Sequence, residues 1–172
     1  GDHVAIDPAV CGGCGMCGAV CPSGAAQTAF PSIDSSLTSL ANLLHYYDEA
    51  GGTAAQLLLH DGQWGREMID MLARYGRGLP AALIPYEMHS IGRVGHDLLA
   101  GAVTLGFKRV FVLMDPRKGP EYASLHQQIE LAEALLTGTG VASKNRFVLI
   151  DESDPDEVEQ IFWQKTKTSK YT

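Results

Sequence analysis

The chain has 172 residues, of which 45% are hydrophobic and 19% are charged, and its formal net charge is −7. This composition is typical of a folded globular protein and excludes a disordered chain. No apolar stretch approaches the roughly 18 to 20 residues that a membrane-spanning helix needs, so we expect no membrane span.

Charge is distributed unevenly along the chain. Residues 1–65 contain no Lys or Arg but six carboxylates, whereas the remainder carries 13 basic and 14 acidic groups. An acidic surface disfavours nucleic acid, whose phosphates require basic residues. It favours association with a redox protein partner that has a basic docking face, because complementary potentials accelerate encounter. Solubility is the alternative role for the same carboxylates.

Near the amino terminus, four cysteines are followed by a proline in the spacing Cys-x2-Cys-x2-Cys-x3-Cys-Pro. They are the only cysteines of the chain: Cys11, Cys14, Cys17 and Cys21. This spacing is typical of the [4Fe-4S] ligands of bacterial ferredoxins. Disulfides are one alternative, and structural zinc is another, although four-cysteine zinc sites usually consist of two separated pairs. We therefore predict a [4Fe-4S] cluster on these four cysteines and a reducing, cytoplasmic location.

The fourth cysteine has two possible roles. In two-cluster ferredoxins it ligates the other cluster, so Cys21 is expected to bind either the same cluster or a neighbouring one. Val4–Ile6 and Gly24–Phe30 are predicted as short strands that flank the cysteines within a ferredoxin-like segment, 1–31. The chain starts at Gly1 without Met and has no second cysteine run. We therefore expect it to be a piece of a longer iron–sulfur protein.

After this segment the hydrophobic pattern changes. Apolar residues recur at steps of three and four between positions 37 and 47, which predicts an amphipathic helix, interpreted as a linker over 32–55. Beyond it, short apolar runs alternate with helical patterns over 56–166, and residues 167–172 are expected to be a flexible tail. The predicted strands are Gln56–Asp61, Ala81–Glu87, Arg109–Asp115 and Arg146–Glu152. The predicted helices are Arg66–Tyr75, Gly95–Leu105, Glu121–Thr137 and one that begins at Pro155.

Such alternation predicts an α/β fold. Because parallel strands need helical crossovers, we expect a four-stranded parallel doubly wound sheet of the flavodoxin-like or Rossmann-like kind, with strand order 2-1-3-4. Its carboxyl edge, where ligands bind in such folds, is predicted to be rich in carboxylates. We recognise no catalytic motif, and whether the chain is an enzyme stays open.

The loop after the second predicted strand is the candidate cofactor site of this domain. Its candidate binding residues are Ser90, Gly92, Arg93 and Gly95. The glycines would let backbone amides approach a flavin or nucleotide, and Arg93 would pair with its charge. The pattern matches neither the dinucleotide fingerprint nor the phosphate loop. The alternative is a tight turn in which Arg93 pairs with an acid such as Glu87, Asp97 or Asp115.

Two parts of the chain resemble known families. Residues 4–30 resemble one half of a two-cluster bacterial ferredoxin, on the basis of the cysteine spacing and the following proline. Residues 56–165 resemble the α/β domain of the delta subunit of methyl-viologen-reducing hydrogenase, which passes electrons to heterodisulfide reductase. That likeness is carried by His-Ser-Ile-Gly-Arg-Val at 89–94, by Leu98, Leu99, Ala102 and Gly106, and by Val110–Met114. Members of that family bind a [2Fe-2S] cluster through cysteines at the strand ends, which this chain lacks.

Together these features predict an electron-transfer iron–sulfur protein, or part of a larger redox protein, in which the α/β domain is a docking platform. One alternative is an oxidoreductase module that binds a flavin or nucleotide and exchanges electrons with the cluster. Another is a non-catalytic assembly module whose cysteines are structural.

Overall fold

The structure, a computed structural model, describes residues 5–141 and 144–167. The strands of this part of the chain are β1 (Gln56–Asp61), β2 (Leu83–Met88), β3 (Val110–Leu113) and β4 (Phe147–Ile150). The α-helices are α1 (Met16–Val20), α2 (Ile33–Glu49), α3 (Trp64–Tyr75), α4 (His96–Leu105), α5 (Ala123–Gly138) and α6 (Pro155–Lys167). Short 3-10 helices span Ile91–Arg93 and Pro116–Tyr122. None of the helices in the described ranges combines the length and apolarity required to cross a bilayer.

All four strands are parallel, and their order in the sheet is β2-β1-β3-β4. This confirms the predicted fold class and strand order. The central strands β1 and β3 are buried along their whole length, as expected for strands covered on both faces. Leu58 of β1 lies opposite Phe111 of β3 and Pro85 of the edge strand β2.

Side chains from alternate strand positions enter two separate cores. Leu57 and Leu59 pack in the core beneath α2, α4 and α5, whereas Leu58 packs in the core beneath α3 and α6. In the second core the rings of Phe111 and Phe162 meet edge to face, with their centroids 5.8 Å apart. Helices therefore cover both faces of the sheet, which is the doubly wound arrangement.

The helix expected to be a linker, α2, belongs to the first core. Its Leu40 is fully buried, and α2 packs along α4, where a Cβ added at Gly101 would lie 2.6 Å from Leu37 Cδ2. Ser32 caps the helix by accepting a hydrogen bond from the Ser35 backbone N–H at 3.2 Å. The packed unit thus begins at α2, before residue 56, because an amphipathic helix has to bury its apolar face somewhere.

Other boundaries differ more modestly from expectation. Strand β2 begins two residues later than predicted, and β3 and β4 are shorter at both ends. No strand forms at Gly24–Phe30, and Ala5 and Ile6 are not in a strand; Val4 lies outside the described residues. A short strand is stable only against a partner, and none accompanies these segments in the described part of the chain. Helix α6 begins at Pro155 as predicted and extends to Lys167; the rest of the expected tail lies outside the described residues.

Candidate metal centre

The four cysteines lie on a glycine-rich segment ahead of the α/β core, which we call the cysteine segment (5–31). All four are free thiols; Cys21 is partly buried and the other three are exposed. Gly13 and Gly15 have φ values of 68° and 77°, a left-handed conformation that glycine adopts without strain. The second of them forms the N-cap of α1, which carries Cys17. Glycine is therefore needed between the cysteines for this backbone path.

The sulfur of Cys21 is held by its surroundings. It accepts a hydrogen bond from the Ala26 backbone N–H at 3.4 Å, and Ser23 Oγ lies 3.6 Å away. These contacts, the first of them chiefly, lower the pKa of the Cys21 thiol from 9.0 to about 7, because a hydrogen-bond donor stabilises the thiolate. A thiolate is the form that ligates metals.

The thiols are not gathered into a ligand set. Among the described residues, no group of three or more His, Cys, Asp and Glu side chains is arranged to hold a metal ion. The donor chemistry nevertheless fits an iron–sulfur cluster, because four free thiols lie close together in the sequence at the ferredoxin spacing. There is also room, since Cβ atoms added at Gly12 and Gly13 would meet nothing within 4 Å. Ligation would require this exposed loop to draw its thiols together.

The cysteine segment packs on the loop that follows β2. A Cβ added at Gly92 would lie 3.4 Å from Met16 Cε. One added at Gly95 would lie 3.2 Å from the backbone oxygen of Ala19 and 3.3 Å from its Cα. Gly95 therefore permits a close approach of the α1 backbone and of Asp97, whose Oδ1 would lie 2.6 Å from the added Cβ, whereas at Gly92 the neighbour is a Met side chain at ordinary contact distance.

The other two candidate residues of this loop also have partners in the chain. Ser90 Oγ accepts a hydrogen bond from the Gly92 backbone N–H at 3.2 Å, which forms a local turn. The guanidinium of Arg93 donates from Nη2 to the carbonyl oxygen of Pro31. It does not pair with Glu87, Asp97 or Asp115. Sequence reasoning missed this contact, because every residue has a backbone carbonyl and residue type therefore does not identify the acceptor.

A cavity of about 320 Å³ lies between the cysteine segment, the start of α2 and the start of α4. His96 lines it and is held by Gln128, whose Oε1 lies 2.7 Å from the ring Nδ1 and 3.2 Å from the His96 backbone nitrogen. An amide oxygen only accepts hydrogen bonds, so Nδ1 carries the proton and a neutral ring leaves Nε2 as an acceptor. The other polar residues that line it include Cys21, Thr28, Asp34, Arg93 and Asp97.

At the carboxyl edge of the sheet, the predicted carboxylates are occupied by structural contacts. Asp61 accepts hydrogen bonds from two backbone N–H groups at the start of α3. Glu87 pairs with Arg66. Asp115 accepts from Arg117 at 2.8 Å on each oxygen, and this contact lowers the pKa of the Asp115 carboxyl. A smaller cavity of about 180 Å³ adjoins Asp115. These acids are thus explained by capping and ion pairing.

No protein-family model and no curated protein sequence matches this chain. The function of the chain is therefore inferred from the cysteine segment and its contacts with the α/β core.

Proposed function

We propose that the chain is an electron-transfer iron–sulfur protein, or part of a larger redox protein. Cys11, Cys14 and Cys17 bind a [4Fe-4S] cluster, and Cys21 binds the same cluster or a neighbouring one. The observation that carries this proposal is that every cysteine of the chain lies between positions 11 and 21, as a free thiol in the ferredoxin spacing.

The residues of the segment have distinct roles in this proposal. The bound cluster supplies one-electron transfer at low potential. The four cysteines provide thiolate ligands, and the Ala26 N–H at Cys21 Sγ orients one of them and stabilises its negative charge. Gly12 and Gly13 give the loop the freedom and the space that ligation needs.

The α/β core is proposed as a docking platform without a cluster of its own. No cysteine follows Cys21 in the sequence, so the core has no thiolates for a second cluster. Its resemblance to the hydrogenase delta subunit favours a place in a redox complex, with a partner that presents a basic docking face. Reduced thiols and a cluster of this type require a reducing compartment, for which we propose the cytoplasm.

Anaerobic reconstitution with iron and sulfide tests this function. We expect broad visible absorbance that bleaches on reduction, with iron and sulfide in equal amounts. The matched control replaces all four cysteines by Ser, which should abolish uptake. Tight binding of one zinc ion together with refusal of a cluster would contradict electron transfer and favour a structural cysteine site. Air must be excluded, because exposed thiolates oxidise.

A further inference from the structure

Arg93 brings a positive charge to the cysteine segment from the α/β core. Residues 5–31 contain no Lys or Arg. The guanidinium donates to the carbonyl oxygen of Pro31 at the end of the segment. The aliphatic part lies against Gly15, where an added Cβ would be 3.1 Å from Arg93 Cγ and 3.2 Å from Cδ. Since Gly15 follows Cys14 directly, this side chain spans from the cysteines to the end of the segment.

Arg93 forms no ion pair among the residues that the structure describes. Glu87 is engaged by Arg66, and Asp115 by Arg117. Asp97 accepts from the backbone N–H of Leu98 at 2.7 Å. Asp34 and Asp97 both line the same cavity as Arg93, but both are exposed and neither forms an ion pair with it.

Such a cation has a predictable effect on a neighbouring redox centre. A cluster held by four thiolates is anionic, and reduction adds one further negative charge. A fixed positive charge nearby stabilises the more negative, reduced form and raises the reduction potential. The half-buried position of Arg93 weakens screening by salt, which strengthens this effect.

We propose that Arg93 is a positioning residue that holds the cysteine segment against the α/β core and raises the reduction potential of the cluster. The inference rests on the proposed function. It also gives the loop at 90–95 a role: Gly95 leaves room for α1, and Arg93 contacts the cysteine segment at Gly15 and Pro31. In this proposal the loop at 90–95, which suggested a bound cofactor, contacts the chain's own cysteine segment.

Redox titration of the reconstituted protein tests the electrostatic half of this proposal. Dithionite supplies the electrons, and absorbance and electron paramagnetic resonance report the reduced fraction. We expect Arg93→Gln to lower the midpoint reduction potential of the cluster. Arg93→Lys keeps the charge, so its midpoint potential should stay closer to that of the parent protein. Arg117→Gln is the control, since that guanidinium pairs with Asp115. An unchanged midpoint for Arg93→Gln at equal cluster content would overturn the electrostatic claim.

Limited proteolysis of the cluster-free protein tests the positioning half. Loss of a charged hydrogen bond should make cleavage within 5–31 roughly tenfold faster in Arg93→Gln. Gly95→Ala should loosen the segment without changing charge, because its Cβ would lie 3.2 Å from the backbone oxygen of Ala19; Asp97 Oδ1, 2.6 Å away, is a side-chain end that can move aside. Gly119→Ala is the control, since its Cβ would meet nothing within 4 Å. Equal cleavage rates in all variants would refute positioning.

The two measurements separate this inference from the proposed function. If the parent protein takes up no cluster, the proposed function and the effect on potential both fail, and proteolysis still decides whether Arg93 holds the segment. If the cluster assembles and neither measurement responds to Arg93, only the inference fails.

Discussion

Arg117 covers the carboxylate of Asp115 with two side-chain hydrogen bonds, each 2.8 Å long, from Nε to Oδ1 and from Nη2 to Oδ2. The Asp115 side chain is 2% exposed whereas that of Arg117 is 73% exposed. A buried carboxylate at the end of β3 is thus kept ionised by a residue on the surface. This pair shows that Asp115, which the sequence offers as a partner of Arg93, is engaged by Arg117 instead.

Arg117→Gln should make stability depend differently on pH. Arg117 lowers the folded-state pKa of Asp115, so its stabilisation is complete above the unfolded pKa of about 3.9 and is lost as pH falls through the folded pKa. We therefore expect the variant to melt at a lower temperature than the parent protein at pH 7. The difference between the two melting temperatures should become smaller below about pH 4. Thermal denaturation across pH measures this. Arg66→Gln breaks an exposed pair with Glu87 and should lower the melting temperature little. A loss of melting temperature equal to that of Arg117→Gln would contradict the role given to Arg117.

Leu40→Ala should destabilise the protein by about 2–5 kcal/mol, because it leaves a cavity where a fully buried side chain packs in the core. Leu43→Ala lies on the same helix at a position 38% exposed and should cost no more than about 1 kcal/mol. Urea denaturation of both variants gives the two free energies of unfolding. Equal small effects would mean that α2 is only a linker.

Replacing all four cysteines by Ser should leave the α/β core folded. Among residues 5–31, Ala19 is the one buried hydrophobic residue, and both core clusters are built from α2 onward. We expect a cooperative thermal transition and unchanged helical circular dichroism. A variant that is unfolded from α2 onward would mean that the cysteine segment nucleates the whole chain.

Cys21 should be alkylated with a rate that rises to half its maximum near pH 7 in the cluster-free protein, because its thiol pKa is lowered to about 7 by the Ala26 N–H above all. Iodoacetamide labelling with peptide mapping at several pH values measures this rate. Ala26→Pro removes the donor and should move the midpoint upward. A midpoint that does not move would show that this hydrogen bond does not set the reactivity.

Reversing the charge of a carboxylate should affect association with a partner most when the carboxylate lies near the cysteine segment. Asp34 lies in the first turn of α2 and lines the same cavity as Cys21, whereas Asp48 lies at the other end of the helix, about 21 Å away along its axis. Asp34→Lys should slow electron delivery to a basic acceptor at low salt, and Asp48→Lys should change it less. Stopped-flow kinetics over a salt series tests this; equal effects or none would favour solubility as the role of these carboxylates.

The sequence predicts the sheet well because its signals are local and strong. The apolar run Gln56–Asp61 matches β1 residue for residue, and Pro155 begins α6 as its fixed φ favours. The burial of α2 was not predicted, because an amphipathic pattern reports a buried face without naming its partner. A strand was wrongly predicted at Gly24–Phe30, because the expectation came from resemblance and a strand needs a neighbour.

The candidate site was only partly predictable for a similar reason. Glycine at 95 permits a close approach of α1, but the sequence does not tell whether a ligand or the chain itself comes close to this loop. The cysteine spacing identifies donor atoms and not their positions. The contact between Arg93 and Pro31 depends on tertiary packing, which no local pattern encodes.

The junction between the cysteine segment and α2 is very short, since Pro31 is followed at once by the helix cap Ser32. Such a tether keeps the segment near its docking loop at a millimolar or higher effective concentration. Contacts that would be too weak to join two separate molecules therefore suffice within one chain. A protein cut between these two residues would need millimolar amounts of the free segment to restore the contact, and the proposed cluster would then travel with a dissociable segment.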